Sequence, residues 1–195
     1  MSPEIVASRC ALVIVDLVND ILKPGAPFEA PEAREEIVPR LKPLLELARA
    51  KGMTLVYTRF VSQSGEGFGA DPDGTEFYEE IRPQAQDIVV NKSRYTPFYG
   101  ANLDLEEELR RRGVDTVIVA GCSTAVGCEA AARDAHTRRF NLILLSDGVV
   151  TRDIPDMGWG FVAKDDVRRV VLSLMAYRFG TVLSVADLTE ALRQP

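Results

Sequence analysis

Basic charge, cysteine and histidine are all scarce in this chain, and each shortage removes a class of function. Its 195 residues hold 23 Lys and Arg against 29 Asp and Glu, a formal net charge of −6. No Lys/Arg block stands out, so nothing electrostatic recommends nucleic acid or an anionic membrane as a partner. No run approaches the roughly 18 apolar residues of a membrane span, and Met1–Arg9 has no apolar signal core. The cysteines number three, Cys10, Cys122 and Cys128. Such a set is too sparse for a disulfide framework and fits reduced thiols in a soluble cytoplasmic protein. The single histidine, His136, sits late in a helical segment and reads as a surface residue. A zinc site needs three or four N, S or O ligands, and none can be assembled, so no metal and no other cofactor is expected. Repeats, low-complexity tracts and linkers are absent too. Residues 1–195 read as one domain, large enough to bury a core.

What the chain does have is alternation. Apolar runs occur at Ala11–Val15, Met53–Thr58, Asp87–Val90, Thr116–Ala120, Asn141–Leu145 and Thr181–Ser184. Their continuous apolar character suits strands covered on both faces. Helical patterns fall between them at Pro31–Lys51, Leu103–Arg112, Cys128–Arg138, Ala163–Phe179 and Ala186–Leu192. Several stop at glycine, namely Gly52, Gly113 and Gly180. The pattern predicts βαβ units and an α/β fold, a mostly parallel sheet between two helical layers. Two stretches exceed ordinary loop length, Phe60–Thr75 and Thr151–Gly160, and long loops in a compact domain are commonly functional.

Open parallel sheets bind ligands beyond the carboxyl ends of their strands. Asp16 follows the first strand and Lys92 follows the third. After the fourth, the chain breaks at Gly121 and opens an alanine-rich helix, gathering unpaired N–H groups at one point. A carboxylate, an ammonium and a thiol-bearing turn, Gly121–Cys128, can therefore meet in one crevice.

Those segments carry a resemblance. Val13-Ile14-Val15-Asp16-Leu17-Val18-Asn19-Asp20, then Val89 through Phe98 around Lys92, then Gly113 through Gly121, and Thr124 through Ala135 are similar in order and spacing to the isochorismatase-like hydrolases. The resemblance implies a six-stranded, Rossmann-like sheet of order 3-2-1-4-5-6, a small-molecule substrate and a homo-oligomer. It implies an Asp, Lys and Cys trio, with Asp16 as acid/base and Lys92 as its partner. An adjacent ammonium keeps such a carboxylate ionised until it takes a proton. The resemblance also implies a cis bond between Cys122 and Ser123, and an oxyanion site built from the N–H groups of Ser123 and residue 127 or 128. Relatives that bind metal do so through histidines after the second strand. Here that segment reads Thr58-Arg59-Phe60-Val61-Ser62-Gln63, so nicotinamidase chemistry is not expected. Arg59 can pair with a substrate carboxylate, and Asn19 can order the turn behind Asp16 or contact substrate.

One departure divides the readings. In the family pattern the nucleophilic cysteine stands three residues after Thr124 and seven before Asp134, which is position 127. This chain has Gly127 there and Cys128 one step later, a rotation of about 100° on a helix. One reading dispenses with a thiol: Asp16 protonates an enol ether and water adds, as in members resembling isochorismatase itself. A second keeps Cys128 as nucleophile in an amidase or carbamoyl hydrolase. A third is a non-catalytic member. The first two share Asp16 and Lys92 as catalytic residues, and the third does not.

Overall fold

The computed structural model describes residues 5–194. The first four residues of the stretch expected to lack a signal core lie outside the described residues. The apolar runs become β1 (Cys10–Val15), β2 (Thr54–Phe60), β3 (Ile88–Lys92), β4 (Thr116–Cys122), β5 (Asn141–Val150) and β6 (Thr181–Leu183). All pair in parallel, in the order β3-β2-β1-β4-β5-β6. The α/β expectation and the strand order are both met.

The helices are α1 (Asn19–Leu22), α2 (Val38–Ala50), α3 (Leu105–Arg111), α4 (Glu129–Thr137), α5 (Lys164–Arg178) and α6 (Val185–Arg193). Local chemistry explains where two of them start. Asp104 caps α3 by accepting from the Glu107 N–H at 3.0 Å, and Ser184 with Asp187 forms a reciprocal capping box for α6. Each such cap contributes about 1 kcal/mol. None of the helices among the described residues is long and apolar enough to cross a membrane.

Side chains alternate across the sheet and divide the core in two. Leu12 and Ile14 face a cluster with Leu41, Leu45 and Leu188 from α2 and α6. Val13 and Val15 face another with Leu109, Ala131 and Met175 from α3, α4 and α5. Fully burying each such Leu, Ile or Val stabilises by roughly 1.5–3 kcal/mol.

The main departure from the sequence reading is the length of β5. Expected to stop at Leu145, it continues to Val150. The register against β4 shifts between Val119, paired with Leu144, and Gly121, paired with Val149. The irregularity absorbs Ser146-Asp147-Gly148, a polar triplet that reads as a loop. It also carries Thr151 and Arg152 to the carboxyl end of the sheet, beside the point where β1 and β4 diverge.

Candidate active site

Asp16 continues β1 by one residue, with φ +50° and its N–H donating to the Thr58 carbonyl at 3.1 Å. Such a conformation in a non-glycine residue costs of order 1–3 kcal/mol and persists only where the surroundings hold it. Two donors do so at the carboxylate. Lys92 Nζ donates to Oδ2 at 2.7 Å, and Thr58 Oγ1 donates to Oδ1 at 2.9 Å. Both partners are deeply buried, Asp16 at 5% and Lys92 at 1% exposure. Lys92 ends β3, two strands away, and its ammonium lies 5.5 Å from the centroid of the Phe60 ring. Burial raises the Asp16 pKa above the ordinary carboxylate value, while the Lys92 charge, the Lys92 and Thr58 hydrogen bonds and the Phe60 N–H oppose that rise. A carboxyl balanced in this way can hold a proton and release it.

The β4 turn closes the other side. A Cβ on Gly121 would lie 2.1 Å from the Val15 carbonyl oxygen, so only glycine lets β4 run this close to β1. The Cys122–Ser123 peptide is cis, as the resemblance implied. A wide helical turn, Thr124–Cys128, then leads into α4. Its first carbonyl, that of Ser123, accepts from Val126 N–H at 3.1 Å and from Cys128 N–H at 3.0 Å. The Cys128 N–H is therefore engaged within the turn and does not join an oxyanion site. The Ser123 N–H makes no backbone hydrogen bond among the described residues.

Position 127 is the one that faces the carboxylate. A Cβ built on Gly127 would stand 3.5 Å from Asp16 Oδ2 and 2.9 Å from Val15 Cγ1. Cys128, expected among the catalytic residues, is not part of this face. It has no exposed surface and packs with Ala131, Ala132 and Ala135 against the opposite side of the sheet. The one-residue rotation along the turn is the physical reason. Burial pushes its thiol well above the ordinary cysteine value, with Cys122 and Asp16 adding to the rise. Cys122 does border the cavity, but burial and then the Asp16 charge push its thiol up to about 12.

The cavity above Asp16 and Gly127 has a volume of about 300 Å³. Aromatic rings make its walls. Phe60 is stacked between Phe68, at 5.9 Å and 22°, and Tyr95, at 6.1 Å and 21°. Phe28 meets Phe68 edge-on at 5.3 Å. Phe68 belongs to the first long loop, and the segment around α1 fixes that loop. Gly69 N–H donates to Asp20 Oδ2 at 3.1 Å, and Asn19 Nδ2 donates to the Asp73 carbonyl at 2.9 Å.

Two expectations change here, those for Asn19 and Arg59. Asn19 holds the loop and does not line the cavity. Arg59 is turned away, donating to Asn91 Oδ1 at 2.7 Å and pairing with Glu76 at 3.2 Å. Phe77 and Tyr78 pack against the core. Trp159 stands in solvent at 95% exposure. The residue that the sequence reading missed is Arg152, which lines the cavity beside Thr151. It pairs with no carboxylate among the described residues. The available signal was its place after the fifth strand, hidden by ending that strand at Leu145. Among the described residues no three His, Cys, Asp or Glu side chains gather as a metal ion requires.

Comparison with known proteins gives this geometry its context. The isochorismatase domain model matches residues 10–187. N-carbamoylsarcosine amidase from Arthrobacter sp is 33% identical over 70% of this chain, an alignment covering 58% of that protein's length. Maleamate amidohydrolase from Pseudomonas putida is 32% identical over 73% of this chain and 72% of its own. The crystal structure of a cysteine hydrolase from Pseudomonas syringae pv. phaseolicola 1448A superposes with a TM-score of 0.90 at 31% identity, covering 98% of both chains. With the sheet order and the family model in agreement, this chain belongs to the isochorismatase family and is a hydrolase.

Proposed function

We propose that this chain hydrolyses a small carboxylate by direct addition of water, with Asp16 carrying the proton and no covalent intermediate on a thiol. The observation that carries this reading is position 127. A Cβ there would stand 3.5 Å from Asp16 Oδ2, but the residue is glycine, so no side chain supplies a nucleophile at that position and the place beside the carboxylate is left to water.

On a vinyl ether the steps balance as follows. Protonated Asp16 gives its proton to the terminal enol-ether carbon, leaving an oxocarbenium ion. Water adds to that ion and returns a proton to Asp16, and the hemiketal collapses to a ketone and an alcohol. General acid catalysis of this kind contributes typically 10²–10⁴-fold. Lys92 stabilises the carboxylate between the two proton transfers. Arg152, without an acidic partner and bordering the cavity, fits a substrate carboxylate. The aromatic walls suit a flat, unsaturated body.

Hydrolysis of a C–N bond is the second reading, favoured by the relatives named as an amidase and an amidohydrolase. Asp16 then acts as base, taking a proton from the attacking water. The Ser123 N–H donates to the developing oxyanion, typically worth about 3 kcal/mol. A non-catalytic role accords poorly with a buried Asp16–Lys92 pair, which hydrophobic residues of equal volume would replace at no loss of stability.

A panel of small carboxylates bearing vinyl ether, carbamoyl or amide groups tests the proposal and separates the two bonds by product. Asp16→Asn and Lys92→Ala should each lower turnover at least about 10³-fold, while Cys128→Ala stays within about threefold. Loss of activity in a folded Cys128→Ala protein would overturn the water mechanism.

A further inference from the structure

Two hydroxyls border the catalytic cavity on the side of β4 and β5, and the proposed chemistry uses neither. Ser123 Oγ and Thr151 Oγ1 lie 2.9 Å apart, and both residues line the cavity with Asp16 and Gly127. Thr151 is buried and Ser123 half-buried. The irregularity in β5 is what brings them together. Val119 pairs with Leu144, so an unbroken register would set Gly148 beside Ser123. The shift instead pairs Cys122 with Val150, which puts Thr151, and so a hydroxyl, at that level. β4 lies between β1 and β5. Asp16, Ser123 and Thr151 therefore follow one another across the carboxyl end of the sheet, with Ser123 in the middle.

The pair keeps one donor in reserve. Each hydroxyl has one O–H to give and two lone pairs to receive. Their mutual bond consumes one O–H, and neither oxygen has another partner among the described residues. One O–H is thus free whichever way the pair is oriented. The Ser123 N–H makes no backbone hydrogen bond among the described residues either, while its carbonyl is pinned by the Val126 and Cys128 N–H groups at 3.1 and 3.0 Å. Ser123 is a fixed residue with spare donors. Hydroxyls rotate to suit their surroundings. Negative charge appearing beside Ser123 selects the direction in which Thr151 donates to Ser123 and Ser123 donates to the charge. Donation from Thr151 also polarises and strengthens the second bond, and the branched Thr side chain, stiff at χ1, holds it in place.

We propose that Ser123 gives two donors, its N–H and its Oγ–H, to the substrate oxygen on which negative charge develops, and that Thr151 is the positioning residue that aims and polarises the hydroxyl. The assignment rests on the hydrolytic reading and holds for either bond. In C–N hydrolysis that oxygen is the carbonyl oxygen as water adds. In ether cleavage it is the oxygen of the departing alcohol as the hemiketal collapses. Ser123 forms no covalent bond in either case, and Asp16 remains the group that moves the proton.

Steady-state kinetics on whichever panel substrate the enzyme hydrolyses tests this. Ser123→Ala keeps the N–H and should lower kcat about 100-fold, with KM within about threefold. Thr151→Val keeps the side-chain shape and should lower kcat about tenfold, whereas Thr151→Ser, which retains a hydroxyl, should stay within about threefold of wild type. Because Thr151 acts through Ser123, the double variant should be slower than Ser123→Ala by no more than about twofold. Phenylphosphonate supplies a readout without turnover, since its tetrahedral oxygens stand in for the water adduct and its ring suits the aromatic walls. Its Kd by calorimetry should rise about tenfold in Ser123→Ala. The proposal is overturned by a Kd that Ser123→Ala leaves unchanged, by losses that multiply in the double variant, or by kcat kept in Ser123→Ala while Asp16→Asn is inactive. Turnover kept in Asp16→Asn would instead sink the hydrolytic reading itself, so the two failures are told apart. Circular dichroism on every variant guards against reading misfolding as lost catalysis.

Discussion

Two regions of this molecule are built against the ordinary rule of burial, in opposite directions. At the carboxyl ends of β1 and β3 an acid and an amine are shut away from water, Asp16 at 5% and Lys92 at 1% exposure. On α5 and the loop before it, Trp, Met, Phe and Tyr stand in solvent, Trp159 at 95%. Neither arrangement helps the chain fold. A buried ion pair is at best break-even against hydrophobic residues of the same volume, and an exposed apolar patch gains nothing in a monomer. The first fits the proposed hydrolysis, whereas the second lies outside the packing of the fold. The two should respond to mutation in contrasting ways.

The largest effect belongs to the buried pair. Lys92→Met leaves the Asp16 carboxylate uncompensated and should destabilise the fold by about 3–5 kcal/mol at neutral pH, measured by urea unfolding. The pH dependence has a definite sign. Burial raises the Asp16 pKa, so its contribution is fully present below the unfolded-state value near 3.8 and is lost as pH rises through the folded-state value. The deficit of Lys92→Met relative to wild type should therefore shrink as pH falls from 7 toward 4. A deficit that stays constant over that range would mean that Asp16 is not the group left unpaired.

Next comes Gly127→Ala. The added methyl meets Val15 Cγ1 at 2.9 Å and lies 3.5 Å from Asp16 Oδ2, so about 1–3 kcal/mol of overpacking is expected. The same methyl takes the place assigned to water, and turnover should fall more steeply than stability. Alkaline titration probes the buried side at lower amplitude. Burial pushes the Cys10, Cys122 and Tyr57 groups up to about 11, 12 and 12. The unfolded chain releases those protons first, so the melting temperature should decline steadily between about pH 9 and 12. The smallest effect lies at the other pole. Trp159→Ser and Leu174→Asp should change stability by no more than about 0.5 kcal/mol. If those surface changes unfolded the protein while Lys92→Met did not, the contrast between the regions would be reversed.

The fold was largely legible because uninterrupted apolar runs are what a doubly covered parallel strand requires, and Val13-Ile14-Val15 or Val117-Ile118-Val119 leave little ambiguity. Asp16 and Lys92 were legible by position, the first just beyond β1 and the second at the end of β3, and Gly127 through the family spacing from Thr124 and Asp134. Arg152 was not, because Ser146-Asp147-Gly148 interrupts β5 with polar residues that the register shift absorbs, and no local pattern announces a bulge. Asn19 and Arg59 were misjudged for a related reason. Their partners, Asp73 and Glu76, come from a long loop whose path depends on glycine contacts with Asp20 and Phe60, beyond the reach of periodicity. Cys128 was read both ways until the turn fixed which face of the helix it shared.

The most direct test is the mass of the intact enzyme, quenched in acid during steady turnover of whichever panel substrate it hydrolyses. If water attacks directly, the chain should appear at its unmodified mass at every time point, and Asp16→Asn should form no product. An added acyl or carbamoyl mass that maps to Cys122 or Cys128 would contradict the account.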